Sequence, residues 1–201
     1  MKALLTLLLF LVPASAGAAN PTELFQQSFT LETAGSYAAA LDRMDRLQGS
    51  GEDGYLLHLR RGWLLYLNGR YADSVEAYRK AVAAAERSAE ARVGLSLPLM
   101  ALHRWADAEQ VCRELLAIAP GNYTGMSRLA WILFSSGRYA DAEQAYREVL
   151  VQYPSDNDLR SGLGWSLLRQ GRTKEARAAF DEVLQVVPGH VSAGQGIAAL
   201  D

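Results

Sequence analysis

Residues 137–146 read GRYADAEQAY and residues 69–78 read GRYADSVEAY, so one ten-residue phrase stands twice in the chain. Halfway between the two copies, residues 103–112 read HRWADAEQVC. Related stretches lie one further step of the same size away on either side, as GSYAAALDRM at 35–44 and GRTKEARAAF at 171–180. Five copies at one spacing, without an insertion, predict an array of repeats in which each unit is one supersecondary element.

Alignment of the chain from Pro21 in units of this spacing gives five blocks and a short remainder. The blocks are 21–54, 55–88, 89–122, 123–156 and 157–190, followed by 191–201. Two positions of the block always hold a small residue: Ser28, Gly62, Ser96, Ala130 and Gly164 at the first, and Ala40, Ser74, Ala108, Ala142 and Ala176 at the second. Small residues allow two helices to approach closely, so each block is predicted to be a pair of packed helices.

Larger side chains recur at three further positions of the block. A leucine position holds Leu31, Leu65, Leu99, Leu133 and Leu167, and a second apolar position holds Met44, Tyr78, Cys112, Tyr146 and Phe180. Tyr37, Tyr71, Trp105 and Tyr139 share the fifth position, where the last block has Thr173. Cys112 therefore falls among core residues, and a buried thiol is the favoured interpretation over a thiol that pairs with another chain.

Glycine and proline mark the ends of the predicted helices. Gly35, Gly69, Gly137 and Gly171 stand where a left-handed residue would end the first helix, while the third block has His103 there. Prolines close the last three blocks at 120, 154 and 188, whereas the first two blocks have glutamates at 52 and 86. Pro98 inside a first helix predicts a kink or a plain irregularity, and GSGEDG at 49–54 predicts a flexible join.

These positions resemble the tetratricopeptide repeat, a helix–turn–helix unit of the same length. The resemblance covers residues 21–190, although the tryptophan usual near the start of the first helix is absent. It implies an all-α fold, a right-handed α-solenoid of five repeats, with residues 191–201 as a partial C-terminal capping helix. It also implies that the first helices line a concave groove in which extended or helical peptides bind.

The first twenty residues differ from the rest. Lys2 precedes an apolar run from Ala3 to Val12, Pro13 ends the run, and small residues follow at 14–19. This order is typical of a cleavable secretory signal, so residues 1–19 are predicted to be removed on export, with an uncleaved anchor or a misread start codon as the alternatives. Periplasmic location is the first expectation and secretion the second.

Composition and motifs argue against several functions. The chain has 20 basic and 22 acidic residues, without the basic surplus of a nucleic-acid binder. The three histidines and the single cysteine lack the spacing of a metal site, and no phosphate loop or catalytic serine motif is present. We therefore expect no enzyme activity, no cofactor and no metal.

Acidic residues of the second helices, such as Asp73, Asp107, Asp141 and Glu143, are expected to face water. No apolar run after the signal is long enough to cross a membrane.

Each first helix carries a second apolar stripe beyond the one needed to pair with its partner helix. At 100° per residue, the side chains of this stripe point away from the small and leucine positions. The predicted groove residues are Phe25, Phe29, Leu59, Trp63, Tyr66, Leu97, Met100, Trp131, Phe134, Trp165 and Leu168. Charged residues at its rim, Glu32, Glu90, Asp158 and Arg169, are expected to serve solvation. The alternative is that these aromatic residues only pack neighbouring helices together. The asparagine and basic residues with which some relatives hold a C-terminal carboxylate are absent.

The sequence thus predicts a non-catalytic scaffold or adaptor of the bacterial envelope that binds a peptide or helix of a partner protein. A self-assembling structural protein is the first alternative, because VSAGQGIAALD at 191–201 is a weak cap for the last repeat. A carrier of a small apolar or glycan ligand is the second.

Overall fold

The computed structural model describes residues 20–49, 51 and 54–200. The predicted signal at 1–19 and most of the join at 50–53 lie outside the described residues. All regular structure in the described part is α-helical. The helices are α1 (Pro21–Thr33), α2 (Tyr37–Asp45), α3 (Tyr55–Leu67), α4 (Tyr71–Ala84), α5 (Ala89–Ala101), α6 (Trp105–Ile118), α7 (Tyr123–Ser135), α8 (Tyr139–Gln152), α9 (Asn157–Arg169), α10 (Thr173–Val186) and α11 (Val191–Ala198). The predicted all-α solenoid with a short C-terminal helix is confirmed.

Every helix pair is joined by the same tight turn. Gly35, Gly69, Gly137 and Gly171 have positive φ values between 72° and 81°, and His103 takes the same conformation at 55°. The backbone N–H of the residue that follows each of these five donates to the carbonyl of the recurring leucine, at 2.8–3.0 Å in all five blocks. This bond satisfies a carbonyl that the helix end would otherwise leave open. The leucine position therefore serves both the core and the turn.

The recurring small and apolar positions form the core between the paired helices. All ten small residues named above are buried, as are the five residues from Met44 to Phe180 at the second apolar position. The prediction that Cys112 belongs to the core is confirmed, since its side chain is 0% exposed. Burial raises the pKa of the Cys112 thiol to about 11.

The first helices of successive blocks lie closer to one another than the second helices do. Helices α3 and α5, α5 and α7, and α7 and α9 contact directly, and α11 contacts α9 as a sixth first helix would. An array whose first helices converge is curved, with these helices on its inner side. The face of the first helices that points away from the core is thus the inner surface of the solenoid. No helix of the described residues is long and apolar enough to span a membrane.

Candidate functional site on the inner helix face

Part of the predicted stripe lines one open cavity on α1, α3 and α5, which we call the N-terminal groove. Its volume is about 670 Å³, and its walls are mostly apolar. Five predicted residues line it: Phe25, Phe29, Leu59, Trp63 and Leu97. Phe29 is 54% exposed, an unusual exposure for a phenylalanine of a packed helix pair. The remaining wall residues are Leu56, Arg60, Tyr78, Glu90, Val93 and Gly94.

A polar cluster stands at the edge of the N-terminal groove. The Glu32 carboxylate accepts a hydrogen bond from Trp63 Nε1 at 2.6 Å and forms an ion pair with Arg60. Arg60 Nε also donates to Ser28 Oγ at 3.1 Å, and its guanidinium lies 3.9 Å from the centre of the Phe29 ring. Arg60 is buried, so its charge needs this carboxylate nearby. The expectation that Glu32 only serves solvation is wrong, because the carboxylate joins α1 to α3.

Three other predicted residues line a second cavity, on α7 and α9, which we call the C-terminal groove. Trp131, Phe134 and Trp165 border a volume of about 390 Å³, together with Asp158, Arg169 and Ser192. Trp131 is 43% exposed and packs edge to face on Trp105, with ring centres 5.4 Å apart. Trp165 Nε1 donates to Ser192 Oγ of α11 at 3.0 Å. The C-terminal helix therefore forms one wall of this groove.

The last three predicted residues border neither cavity. The ring of Tyr66 stacks on Trp63 at 5.8 Å and packs against Tyr71 at 5.5 Å. Met100 and Leu168 pack against core clusters of their own blocks. The stripe is thus divided into two grooves, and Tyr66, Met100 and Leu168 line neither of them.

Arg128 lies between the two grooves and was not anticipated from the sequence. Its Nη1 donates to Ser96 Oγ at 2.6 Å and to the carbonyl of Val93, a wall residue of the N-terminal groove. Burial lowers the pKa of the Arg128 guanidinium, and the other groups that act on it are Cys112, Tyr66 and Tyr78. None of these is a carboxylate. No described carboxylate forms an ion pair with this half-buried cation, although burial of an unpaired charge is costly.

Two further polar residues of the grooves are bonded to neighbouring helices. Glu90 accepts a hydrogen bond from the Tyr55 hydroxyl at 2.9 Å, and Asp158 lies 3.0 Å from His190 Nε2. No cluster of three potential metal ligands occurs in the described residues. Besides these polar residues, Arg128 and Arg169, the two grooves offer mainly aromatic and aliphatic surface, which suits binding of apolar side chains.

One acidic residue of the second helices does not face water. Glu143 on α8 is 5% exposed and accepts hydrogen bonds from Gln170 at 2.7 Å and from Arg172 at 2.6 Å. The expectation of a solvated Glu143 is therefore wrong. Asp73, Asp107 and Asp141 are exposed or half-exposed, as expected.

The sequence matches the tetratricopeptide repeat family over residues 30–89, 68–123 and 127–190. The chain belongs to this family. No curated protein matches the chain. Among solved structures, a tetratricopeptide repeat protein from Parabacteroides merdae is 16% identical and superposes with a TM-score of 0.82, over 90% of this chain and 72% of that one. MamA from Desulfovibrio magneticus RS-1 is also 16% identical, with a TM-score of 0.78 over 87% and 99% of the two chains.

A thermophilic tetratricopeptide repeat protein from Thermus thermophilus is 19% identical, with a TM-score of 0.63 over 90% of this chain and 98% of that one. At these identities the likeness shows the fold alone. Membership of the tetratricopeptide repeat family supports a role in protein interaction, and the two grooves are the surfaces on which such a role can be tested.

Proposed function

We propose that this tetratricopeptide repeat protein is a non-catalytic scaffold of the bacterial envelope that binds a peptide or helix of a partner protein along its inner face. The observation that carries the proposal is the N-terminal groove, an open and mainly apolar cavity of about 670 Å³ on three successive first helices. Large exposed apolar surfaces on soluble proteins usually mark sites of interaction. Aromatic side chains such as Phe29 and Trp131 are also typical anchors of binding.

Site-specific crosslinking in the cell tests the proposal. A photoreactive amino acid replaces Trp63 or Trp131 in the grooves and, as the control, Val151 on the outer helix α8, where the side chain is 82% exposed. We expect one partner to be captured from both groove positions and not from position 151. Equal capture from all three positions, or capture from position 151 alone, would place the binding surface elsewhere.

Export is the second part of the proposal, supported by the apolar run and small residues of positions 3–19. Fractionation of the cells followed by N-terminal sequencing tests it. We expect the protein in the periplasm, with an N-terminus close to residue 20. An intact Met1 in the cytoplasmic fraction would contradict it.

Self-assembly is a second candidate, supported by the C-terminal end of the array. Val186, Val187 and Val191 leave exposed apolar surface beside α11. Sedimentation over a wide concentration range distinguishes this candidate, because end-to-end stacking requires the average mass to grow with concentration. A constant monomer mass would exclude it.

A further inference from the structure

Two arginines of the inner face occupy equivalent places in the repeat. Arg60 lies in the second block and Arg128 at the same position of the fourth block. Arg60 donates to Ser28 Oγ, and Arg128 donates to Ser96 Oγ, where the two serines are likewise equivalent positions two blocks apart. The second and fourth blocks thus present the same cation, supported by the same hydroxyl of the preceding first helix.

The two sites differ at the ring beside the arginine, where Leu97 replaces Phe29, and at the carboxylate. At the first site, the Glu32 carboxylate forms an ion pair with Arg60 and accepts a hydrogen bond from the indole N–H of Trp63. The residue equivalent to Glu32 at the second site is Met100, whose side chain packs on the core and offers no charge. The residue equivalent to Trp63 is Trp131, one turn after Arg128 on α7. The fourth block therefore keeps both donors and lacks the carboxylate.

No carboxylate of the described residues takes the place of Glu32 beside Arg128 and Trp131. Trp131 Nε1 makes no hydrogen bond there, and Arg128 has no ion pair with any described carboxylate. The other described arginines that are at least partly buried all have one, as Arg92 has in Glu114 and Arg160 in Glu182. Arg128 is the exception, although burial makes an unpaired charge costly.

We propose that Arg128 and Trp131 bind the carboxylate of a glutamate or aspartate side chain of the partner, in the way that Arg60 and Trp63 bind Glu32. The Glu32 site shows that these donors, on this helix face and at this spacing, hold a glutamate side chain. Charge complementarity therefore selects an acidic residue. Bonds between a guanidinium and a carboxylate are charge-assisted and strong, and they are stronger where water is excluded.

The position of Arg128 between the two grooves defines the neighbours of that acidic residue. Arg128 contacts Val93 of the N-terminal groove and lies one turn from Trp131 of the C-terminal groove. A segment bound along the inner face would place apolar side chains in both grooves and its carboxylate at Arg128. The partner segment is thus an acidic residue with large apolar residues on both sides. This inference rests on the proposed peptide binding and adds its specificity.

A displayed library of random twelve-residue peptides, selected on the purified full-length chain, provides the probe. We expect selected peptides to share one acidic residue between apolar residues. One such peptide is then synthesised with its acidic residue intact and as the Gln or Asn form, each with a free and an amidated C-terminus. We expect the acidic form to bind at least about tenfold more tightly than the amide form, as one charge-assisted bond predicts.

Two variants assign this preference to the site. Met100→Glu supplies the missing carboxylate from within the chain and is expected to remove the preference for the acidic peptide. Met100→Gln has the same shape without the charge, so it should retain the preference and serves as the matched control. Arg128→Met should also remove the preference, but it loses the bonds to Val93 and Ser96 and can affect folding, whereas Met100→Glu leaves both bonds in place.

The outcomes separate this inference from the proposed function. Selected peptides that are apolar without an acidic residue would overturn the inference and leave peptide binding standing. A preference that follows the free C-terminus instead of the side chain would overturn it too, as would a preference unchanged by Met100→Glu. Failure to select any peptide would contradict the proposed function itself, and the inference with it.

Discussion

Arg138 precedes helix α8, and its guanidinium holds two carboxylates: Asp141 in the first turn of the same helix at 2.6 Å, and Glu109 on α6 at 2.8 Å. Arg172 makes the equivalent bonds to Glu175 and to Glu143. The arginine and the acidic residue of the repeated phrase are thus paired at the joint between helices. Exposed ion pairs contribute little to stability because water screens them. We therefore expect the glycine of the phrase to contribute more to the free energy of unfolding than its arginine and acidic residue do.

Replacing that glycine is the first prediction. Gly137→Ala is expected to lower the free energy of unfolding by about 1–2 kcal/mol, because φ at this position is 81° and an L-residue is strained there. Apart from the two chain neighbours, no described residue has an atom within 4 Å of the added methyl group, so the effect is one of backbone conformation. Gly194→Ala is the control: it lies inside α11 with equal space around it and should gain up to about 1 kcal/mol. Urea unfolding measures both. A loss of stability in both variants would contradict the explanation.

Glu143 gives a prediction that depends on pH. Burial on its own raises the pKa of this carboxyl group, but hydrogen bonds from Gln170 and Arg172 and the charge of Arg147 outweigh it, so the pKa is lower than in the unfolded chain. A lowered pKa stabilises the fold above the unfolded value near 4.5, and this contribution is lost as the pH falls through the folded value. Glu143→Gln should therefore be less stable than the wild type at pH 7, and the difference should shrink steadily below about pH 4.5. A difference independent of pH, measured by thermal unfolding, would count against an ionised Glu143.

At the scale of the helices, the residue at one position of the first helix depends on the size of the side chain that the preceding block places against it. Gly94, Gly162 and Gly196 lie against the rings of Tyr78, Tyr146 and Phe180, and a methyl group added to each would come within 2.2–2.5 Å of the ring. The same position holds Arg60 and Arg128 in the blocks that follow Met44 and Cys112, which have no ring. Glycine thus makes room for a ring of the preceding block, and arginine stands where there is none.

Exchanging the two arrangements tests this rule. Cys112→Tyr alone should cost about 1–3 kcal/mol, because Arg128 occupies the space that a ring would need. The double variant with Arg128→Gly repeats the arrangement of Tyr78 and Gly94. Its loss of stability should be smaller than the sum of the losses of the two single variants by about 1 kcal/mol or more. A double-mutant cycle from chemical unfolding measures this coupling. Strict additivity would show that the two positions do not share the space.

The sequence alone predicts the helices, turns and buried positions, because each depends on residues within one block and recurs in every block. The roles of Glu32 and Glu143 are not predictable in this way, since each bonds to an arginine of the next block. Such contacts depend on the distance between blocks, which one block does not reveal. The sequence does show that Met100 stands where the first block has Glu32, but this difference points to Arg128 only once the bond between Glu32 and Arg60 is known.

At the scale of the whole molecule, each block contacts mainly its neighbours, so the array behaves as a nearly one-dimensional structure. Its last block depends on α11, whose Gly196 lies against Phe180. Phe180, Val183 and Ala193 are all fully buried there. The short helix therefore completes the final core in the way that a further repeat would.

Removal of this helix should destabilise the array from one end. A chain that stops at Gly189 exposes the Phe180 ring, and burying such a ring stabilises a fold by about 1.5–3 kcal/mol. Hydrogen exchange is expected to speed up most in α9 and α10 and to change little in α3 and α4. A uniform loss of protection over all helices would show that the array unfolds as one unit.

The pairing of ring and glycine also determines how the chain can be lengthened. A second copy of residues 157–190 placed after the first would set Phe180 against another Gly162, so this block is modular. A second copy of residues 123–156 would set Tyr146 against another Arg128, and one of residues 55–88 would set Tyr78 against another Arg60. An engineer who wants a longer binding face should therefore duplicate the last block, or insert blocks as two-unit cassettes that keep each ring opposite a glycine.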